Sequence, residues 1–228
     1  MILAGLALLG WLYLTFLHGA FRRLLLDESA ADPDAWPSVD VVIPARGEAE
    51  ILPRTLPSLL AQDYPGTWQI ILVDDYSQDG TGAVARDIAH LLTIPERLTV
   101  IAPPPLAEGW AGKVAAMHAG ALRSRADHIL FTDADIAHPS DSLRRLAACA
   151  VAKDLDLTSR MARLHCESLA EKLLVPAFVF FFAMLYPFRR SNDPRSRVAG
   201  AAGGVMLIRR RILEAIRRTG LNQIGSHR

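Results

Sequence analysis

The chain has 228 residues, 51% of them hydrophobic, with 25 Lys and Arg against 24 Asp and Glu for a formal net charge of +1. Such a chain can bury the core of one large or two small domains and is not a disordered tail. The charge balance lacks the basic stripe of a nucleic-acid binder, so no nucleic-acid partner is expected. The two cysteines, Cys149 and Cys166, show no CxxC spacing and read as reduced, buried small side chains rather than a zinc site or disulfide framework.

Residues 1–21, MILAGLALLGWLYLTFLHGAF, hold no Asp, Glu, Lys or Arg, and Arg22 and Arg23 follow at once. That length suffices for a hydrocarbon core of about 30 Å. A cleaved signal peptide carries its charge before the apolar run, whereas here it comes after. The expectation is a transmembrane anchor over 1–21 whose cationic flank keeps the rest of the chain on the cytoplasmic side. A buried or interfacial helix is the alternative. Residues 22–38 follow as a polar linker, and 39–228 form the soluble domain.

Short β-rich runs then recur at Val39 to Ile43, Gln69 to Asp75, Leu98 to Ala102 and His128 to Asp135. Stretches of helical character lie between them, over about Glu50 to Gln62, Gly80 to Leu92 and Lys113 to Arg125. Near-continuous apolar strands alternating with helices predict an α/β fold with a mostly parallel sheet covered on both faces. Ligands bind beyond the carboxyl ends of such strands. Three of the four ends carry unusual residues: PARGE from Pro44, DDYSQDGT from Asp74, and TDAD from Thr132.

Singly, each has a plain reading, as a turn, a helix entry with Asp79 as a cap, and a chance Asp-x-Asp. Together they converge on one edge of the sheet. Two carboxylates placed side by side repel unless a cation removes the cost. Mg²⁺ or Mn²⁺ takes oxygen ligands and commonly bridges one or two carboxylates to a diphosphate. If the fourth strand continues to Asp135, Asp133 and Asp135 point the same way.

The segments VVIPARGE, IILVDDYSQDGT, GWAGKVAAMHAG and FTDADI resemble, in order and spacing, family 2 glycosyltransferases of the GT-A fold. More narrowly, PARGEAEILPRTLPSLLAQDYPG, EGWAGKVAAMHAG and FTDADIAHPSDSLRRL resemble the hopanoid-associated bacterial subgroup. The resemblance implies an inverting transfer from a nucleotide-sugar, a UDP-sugar foremost, to a lipid or lipid-linked acceptor at the cytoplasmic face of a bacterial inner membrane, with a divalent metal, Mn or Mg, as cofactor. It places Pro44, Ala45, Arg46 and Glu48 at the nucleotide, Asp75 at its base, Lys113 near the phosphates, Asp133 near the ribose and metal, and Asp135 on the metal. A polyprenyl-phosphate sugar synthase shares these donor motifs and is the nearest alternative.

The family's base is an aspartate of an acidic pair, expected here after Gly220, where the sequence has none. The catalytic residue is therefore unassigned, and the chain reads as a C-terminally shortened form with an incomplete acceptor side. A non-catalytic nucleotide-sugar binder is the corresponding alternative. Glu214, in an Arg-rich helical stretch, reads as a surface ion-pair partner. Leu173 to Phe188, uncharged and rich in Phe, is either core or a helix lying at the membrane face.

Overall fold

The computed structural model describes residues 2–18, 30–164, 166–193, 195–198 and 200–218. The chain divides into two units, one of residues 1–27 with 163–201 and the other of 28–162 with 202–228.

The larger unit holds a six-stranded sheet of order β3-β2-β1-β4-β6-β5. Its strands are β1 (Val39–Ala45), β2 (Trp68–Asp74), β3 (Leu98–Ile101), β4 (His128–Thr132), β5 (Leu157–Ser159) and β6 (Val205–Arg209). β1 to β4 run parallel, and β6 lies antiparallel between β4 and β5. The mostly parallel sheet predicted from the alternation of strands and helices is what forms.

Period-two alternation sorts the strands' side chains onto two faces. Val39, Val41, Ile43, Ile70, Leu72 and Leu130 pack with helices α2 (Leu52–Leu60), α3 (Thr81–Leu91) and α5 (Ser142–Ala152). Val42, Ile71, Val73, Ile129 and Phe131 pack with α4 (Gly112–Arg123) and with Leu213 of α8 (Arg210–Arg218). Gly120 lets α4 come close, since a Cβ there would lie 2.4 Å from Val42 Cγ1.

β1 is paired on both sides only as far as Val42, opposite Phe131, while its pairing with β2 runs on to Ala45. Pro44, which has no N–H to give, thus falls where the strand has lost its β4 neighbour. Because the chain crosses from one side of β1 to the other between β3 and β4, the gap between β1 and β4 is the sheet's switch point.

Residues 32–38, within the stretch expected as a linker, pack on this unit. Trp36 meets Tyr64 edge to face at 5.3 Å, Asp32 pairs with Arg144, and Ser38 Oγ donates to Asp127 at 2.7 Å.

The smaller unit contains α1 (Ile2–Leu12), a π-helical turn at Tyr13–Leu17, α6 (Leu169–Leu185) and the short α7 (Phe188–Ser191). A capping box starts α6, with Ser168 and Glu171 exchanging side-chain and backbone hydrogen bonds. His18 Nε2 lies 2.7 Å from the Met184 carbonyl, and Arg190 donates to the Leu17 carbonyl at 3.3 Å. Leu3, Leu9, Trp11, Phe16, Leu173 and Phe181 are exposed, and Ala183 is the one buried residue of α6.

Of the stretch 1–21 expected as a spanning anchor, residues 2–18 are described. α1 has 11 residues, about 16 Å at 1.5 Å each, and the π-helical turn adds five. Among the described residues no helix is long and apolar enough to cross a membrane. Residues 19–21 lie outside those described. Both cysteines are free, and half-buried rather than buried.

Candidate active site

The switch point opens into a cavity of about 320 Å³. All eight residues singled out in the sequence line it: Pro44 and Ala45 at the end of β1, Arg46 and Glu48 just after it, Asp75 after β2, Lys113 at the start of α4, and Asp133 and Asp135 after β4. Gly112, Ala116 and Ala134 complete the lining.

Local hydrogen bonds hold the β1 and β2 ends together. The Gly47, Glu48 and Ala49 N–H groups donate to Ser77 Oγ, Thr81 Oγ1 and Asp79 Oδ2 at 3.0, 2.9 and 3.0 Å. Asp79 also accepts from the Thr81 N–H and hydroxyl, and these bonds, the hydroxyl's first, hold its carboxyl below the usual range. Gly47 and Gly80 have φ of +72° and +85°, which suits the tight path. Of the adjacent acids, Asp74 is consumed by the Ser77 and Gly82 N–H groups, while Asp75 faces the cavity 3.5 Å from Arg46. A Cβ on Gly112 would come within 2.8 Å of Asp75 Oδ2, so glycine is what lets α4 begin against this carboxylate.

The acidic loop is built differently from the expectation. β4 stops at Thr132, and Asp133 to Asp135 form a turn, so the two acids reach one cavity through the turn rather than through strand alternation. The Asp133 N–H donates to the Gly204 carbonyl at 3.1 Å, and Thr55 Oγ1 donates to the Ala134 carbonyl at 2.6 Å. Behind the turn, buried His138 has Nε2 at 2.9 Å from Thr132 Oγ1 and Nδ1 at 3.3 Å from Ser142 Oγ. Burial, with Arg160 nearby, lowers its pKa to about 4, so His138 is a neutral brace.

Glu48, Asp75, Asp133 and Asp135 face Arg46 and Lys113 in the cavity, which leaves two formal negative charges uncancelled. Burial first, then Asp135, Asp79 and Asp133, push the Glu48 carboxyl up, opposed by Lys113. Lys113 Nζ sits 2.6 Å from Asp133 Oδ1. Carboxylate donors with excess negative charge suit Mg²⁺ or Mn²⁺. Among the described residues no group of three or more His, Cys, Asp or Glu side chains is arranged to hold a cation. A cation that takes one or two protein carboxylates and fills its shell with phosphate oxygens and water fits these residues.

Sequence reasoning missed the braces. Thr55, Ser77, Gly112 and His138 shape the cavity through partners up to 80 residues away, as His138 does by donating its N–H to Ser58 Oγ. The Gly before Lys113 was the one local signal among them. The acid expected after Gly220 falls outside the described residues, and Glu214 pairs with Arg210 at 3.1 Å as expected.

The family described as Glycosyl transferase family 2 matches residues 40–217, and the chain belongs to it. An N-acetylglucosaminyltransferase of Mesorhizobium japonicum is 37% identical over 128 residues, covering 52% of this chain and 28% of that protein. Another, of Rhizobium leguminosarum bv. trifolii, is 31% identical over 132 residues, covering 56% and 69%. A mannosyltransferase from Pyrobaculum calidifontis, solved with GDP-Man and Mn²⁺, matches with TM-score 0.63 and 21% identity over 90% of this chain and 53% of that one. S. aureus TarS 1–349 with UDP matches at TM-score 0.52 and 18% identity over 78% and 48%. The fold is GT-A-like. The chain spans about half the length of these solved relatives and little over a quarter of the Mesorhizobium protein.

Proposed function

We propose that the protein transfers a sugar from a UDP-sugar to a lipid or lipid-linked acceptor at the cytoplasmic face of a bacterial inner membrane, with inversion and with a divalent cation. The observation that carries this reading is the convergence of Arg46, Glu48, Asp75, Lys113, Asp133 and Asp135 on one cavity at the switch point. The names of the Mesorhizobium and Rhizobium relatives make UDP-N-acetylglucosamine the first donor to try. The exposed apolar side chains of α1 and α6 support a membrane-side acceptor. The resemblance to the hopanoid-associated subgroup makes a hopanoid-containing extract the first acceptor source.

In this reading Asp75 accepts a hydrogen bond from the base, Asp133 lies by the ribose, and Asp135, with Asp133, holds the cation. Bound there, the cation would neutralise charge developing on the departing diphosphate. Lys113, at the start of α4, places an ammonium and a helix N-terminus toward the phosphates. The acceptor oxygen bonds to the anomeric carbon as the carbon–diphosphate bond breaks, its electrons leaving with the diphosphate and the hydroxyl proton passing to a base. None of the described residues is assigned that base.

Calorimetry with UDP and Mn²⁺, paired with radiolabelled transfer to bacterial lipid extract, tests the reading. Asp135→Asn is expected to weaken Mn²⁺-dependent UDP binding by about tenfold or more while the circular dichroism spectrum is unchanged. Unchanged Mn²⁺-dependent affinity would leave Asp135 a structural residue. Transfer confined to polyprenyl phosphate identifies the synthase alternative, and binding without transfer identifies the non-catalytic one.

A further inference from the structure

Lys113 stands where a cation is poorly placed for the helix it begins. It is the second residue of α4, whose first turn carries no acid and whose N-terminus has no side-chain cap, so the helix dipole disfavours its ammonium. What holds it is Asp133, at 2.6 Å, with the two side chains 56% and 30% exposed. An ion pair this open to water is weak and readily exchanged. The carboxylate it occupies is also one of the two that would hold the cation, and an ammonium cannot remain there beside a divalent ion without strong repulsion. Among the described residues no cation lies within ion-pair distance of Asp135, the other acid of the turn, and Glu48 adds to the negative charge around both.

We propose that Lys113 is an exchangeable counter-ion: it pairs with Asp133 until a divalent cation binds, is displaced by that cation, and is thereby delivered to the diphosphate. The proposal rests on the nucleotide-sugar reading above and adds a linkage to it. A lysine's four-carbon stem lets its ammonium leave Asp133 while its Cα stays fixed at the helix start. Displaced, the ammonium lies beside a helix N-terminus, and an anion bound there gains both interactions. Lys113 therefore opposes the cation when the cation comes alone and favours the nucleotide once the cation is bound. The two ligands are coupled through one side chain, and removing its charge must change their affinities in opposite directions.

The test measures Mn²⁺ binding without nucleotide, by the loss of the free-ion electron paramagnetic resonance signal, and UDP binding at saturating Mn²⁺, by calorimetry. The proteins are the parent chain and its Lys113→Met, Lys113→Gln and Lys113→Arg variants. For the two uncharged variants, Mn²⁺ alone is expected to bind about three- to tenfold tighter and UDP about tenfold weaker, within the ordinary range of coupling between sites. Lys113→Arg is expected to stay within about twofold of the parent in both measurements, because it keeps the charge. Loss of a merely structural ion pair would weaken both ligands or neither. Mn²⁺ affinity that is unchanged or weaker in both uncharged variants, or an arginine variant that behaves like them, overturns the exchange alone. A parent chain that binds neither Mn²⁺ nor UDP overturns the functional reading and the exchange with it.

Discussion

His138 has both ring nitrogens committed to hydroxyls, and its environment penalises the imidazolium. Its folded pKa, about 4, lies below the ordinary 6.5, so the unfolded chain takes up a proton first as pH falls. The stability it contributes is complete above about pH 6.5 and is lost as pH falls from there towards 4, up to about 3 kcal/mol. Comparing thermal midpoints of the parent and His138→Asn between pH 7 and 4 checks this. The parent is expected to lose more stability than the variant on acidification, and equal losses would mean that His138 is not the group responsible. Such a role could not be read from the sequence, where His138 is a lone histidine in a loop three residues past Asp135. Its partners Thr132 and Ser142 are near in sequence, but only burial shows the ring to be closed off from water. Arg46, Glu48, Asp75 and Asp133, by contrast, were legible because each follows an apolar run whose carboxyl end had to face the switch point.

Among the elements, α4 sets the depth of the cavity by how closely it lies on β1 and β2. Helix propensity alone favours alanine over glycine by about 1 kcal/mol, so a Gly120→Ala exchange in isolation would stabilise α4. The sheet decides otherwise, since the added methyl would lie 2.4 Å from Val42 Cγ1 and 3.1 Å from Val73 Cγ2. Overpacking of this kind typically costs about 1–3 kcal/mol, and we expect Gly120→Ala to be net destabilising with weaker UDP binding. Urea unfolding measures the first and calorimetry the second; a variant as stable as the parent would show that α4 can shift without cost. The strands β1 to β4 and the helices between them were visible as alternating patterns, with the starts at Val39, Leu98 and His128 exact and the carboxyl ends off by one to three residues. β4 was read three residues too long because Asp133 and Asp135 look like a continuation by alternation, whereas the Ile136 N–H donates back to the Asp133 carbonyl at 3.4 Å and closes a turn there. β5, only three residues long, has no period to detect, and its place depends on pairing with β6 some fifty residues away.

At the scale of the whole molecule, the apolar stretches read in the sequence form the helices α1 and α6, and of the residues of α6 only Ala183 is buried. The larger unit, meanwhile, closes on itself across the excursion. The Arg160 N–H donates to the Val205 carbonyl at 3.1 Å and the Ala202 N–H to Ser159 Oγ at 3.1 Å, so the chain leaves and returns at hydrogen-bonded points. Topologically, the 39 residues from 163 to 201 are a loop whose two ends are already pinned. Closing a loop costs entropy that grows only with the logarithm of its length, and replacing those residues by a four-residue Gly-Ser link would lower that cost by roughly 2 kcal/mol. A chain of residues 28–162 and 202–228 so joined is expected to fold, to bind UDP with Mn²⁺ as the parent does, and to float with anionic liposomes less than the parent. Failure to fold would show that the excursion props up β5 and β6. Success would make the cavity-bearing unit a portable part, one onto which evolution or an engineer could graft a different insertion without disturbing a residue that lines the cavity.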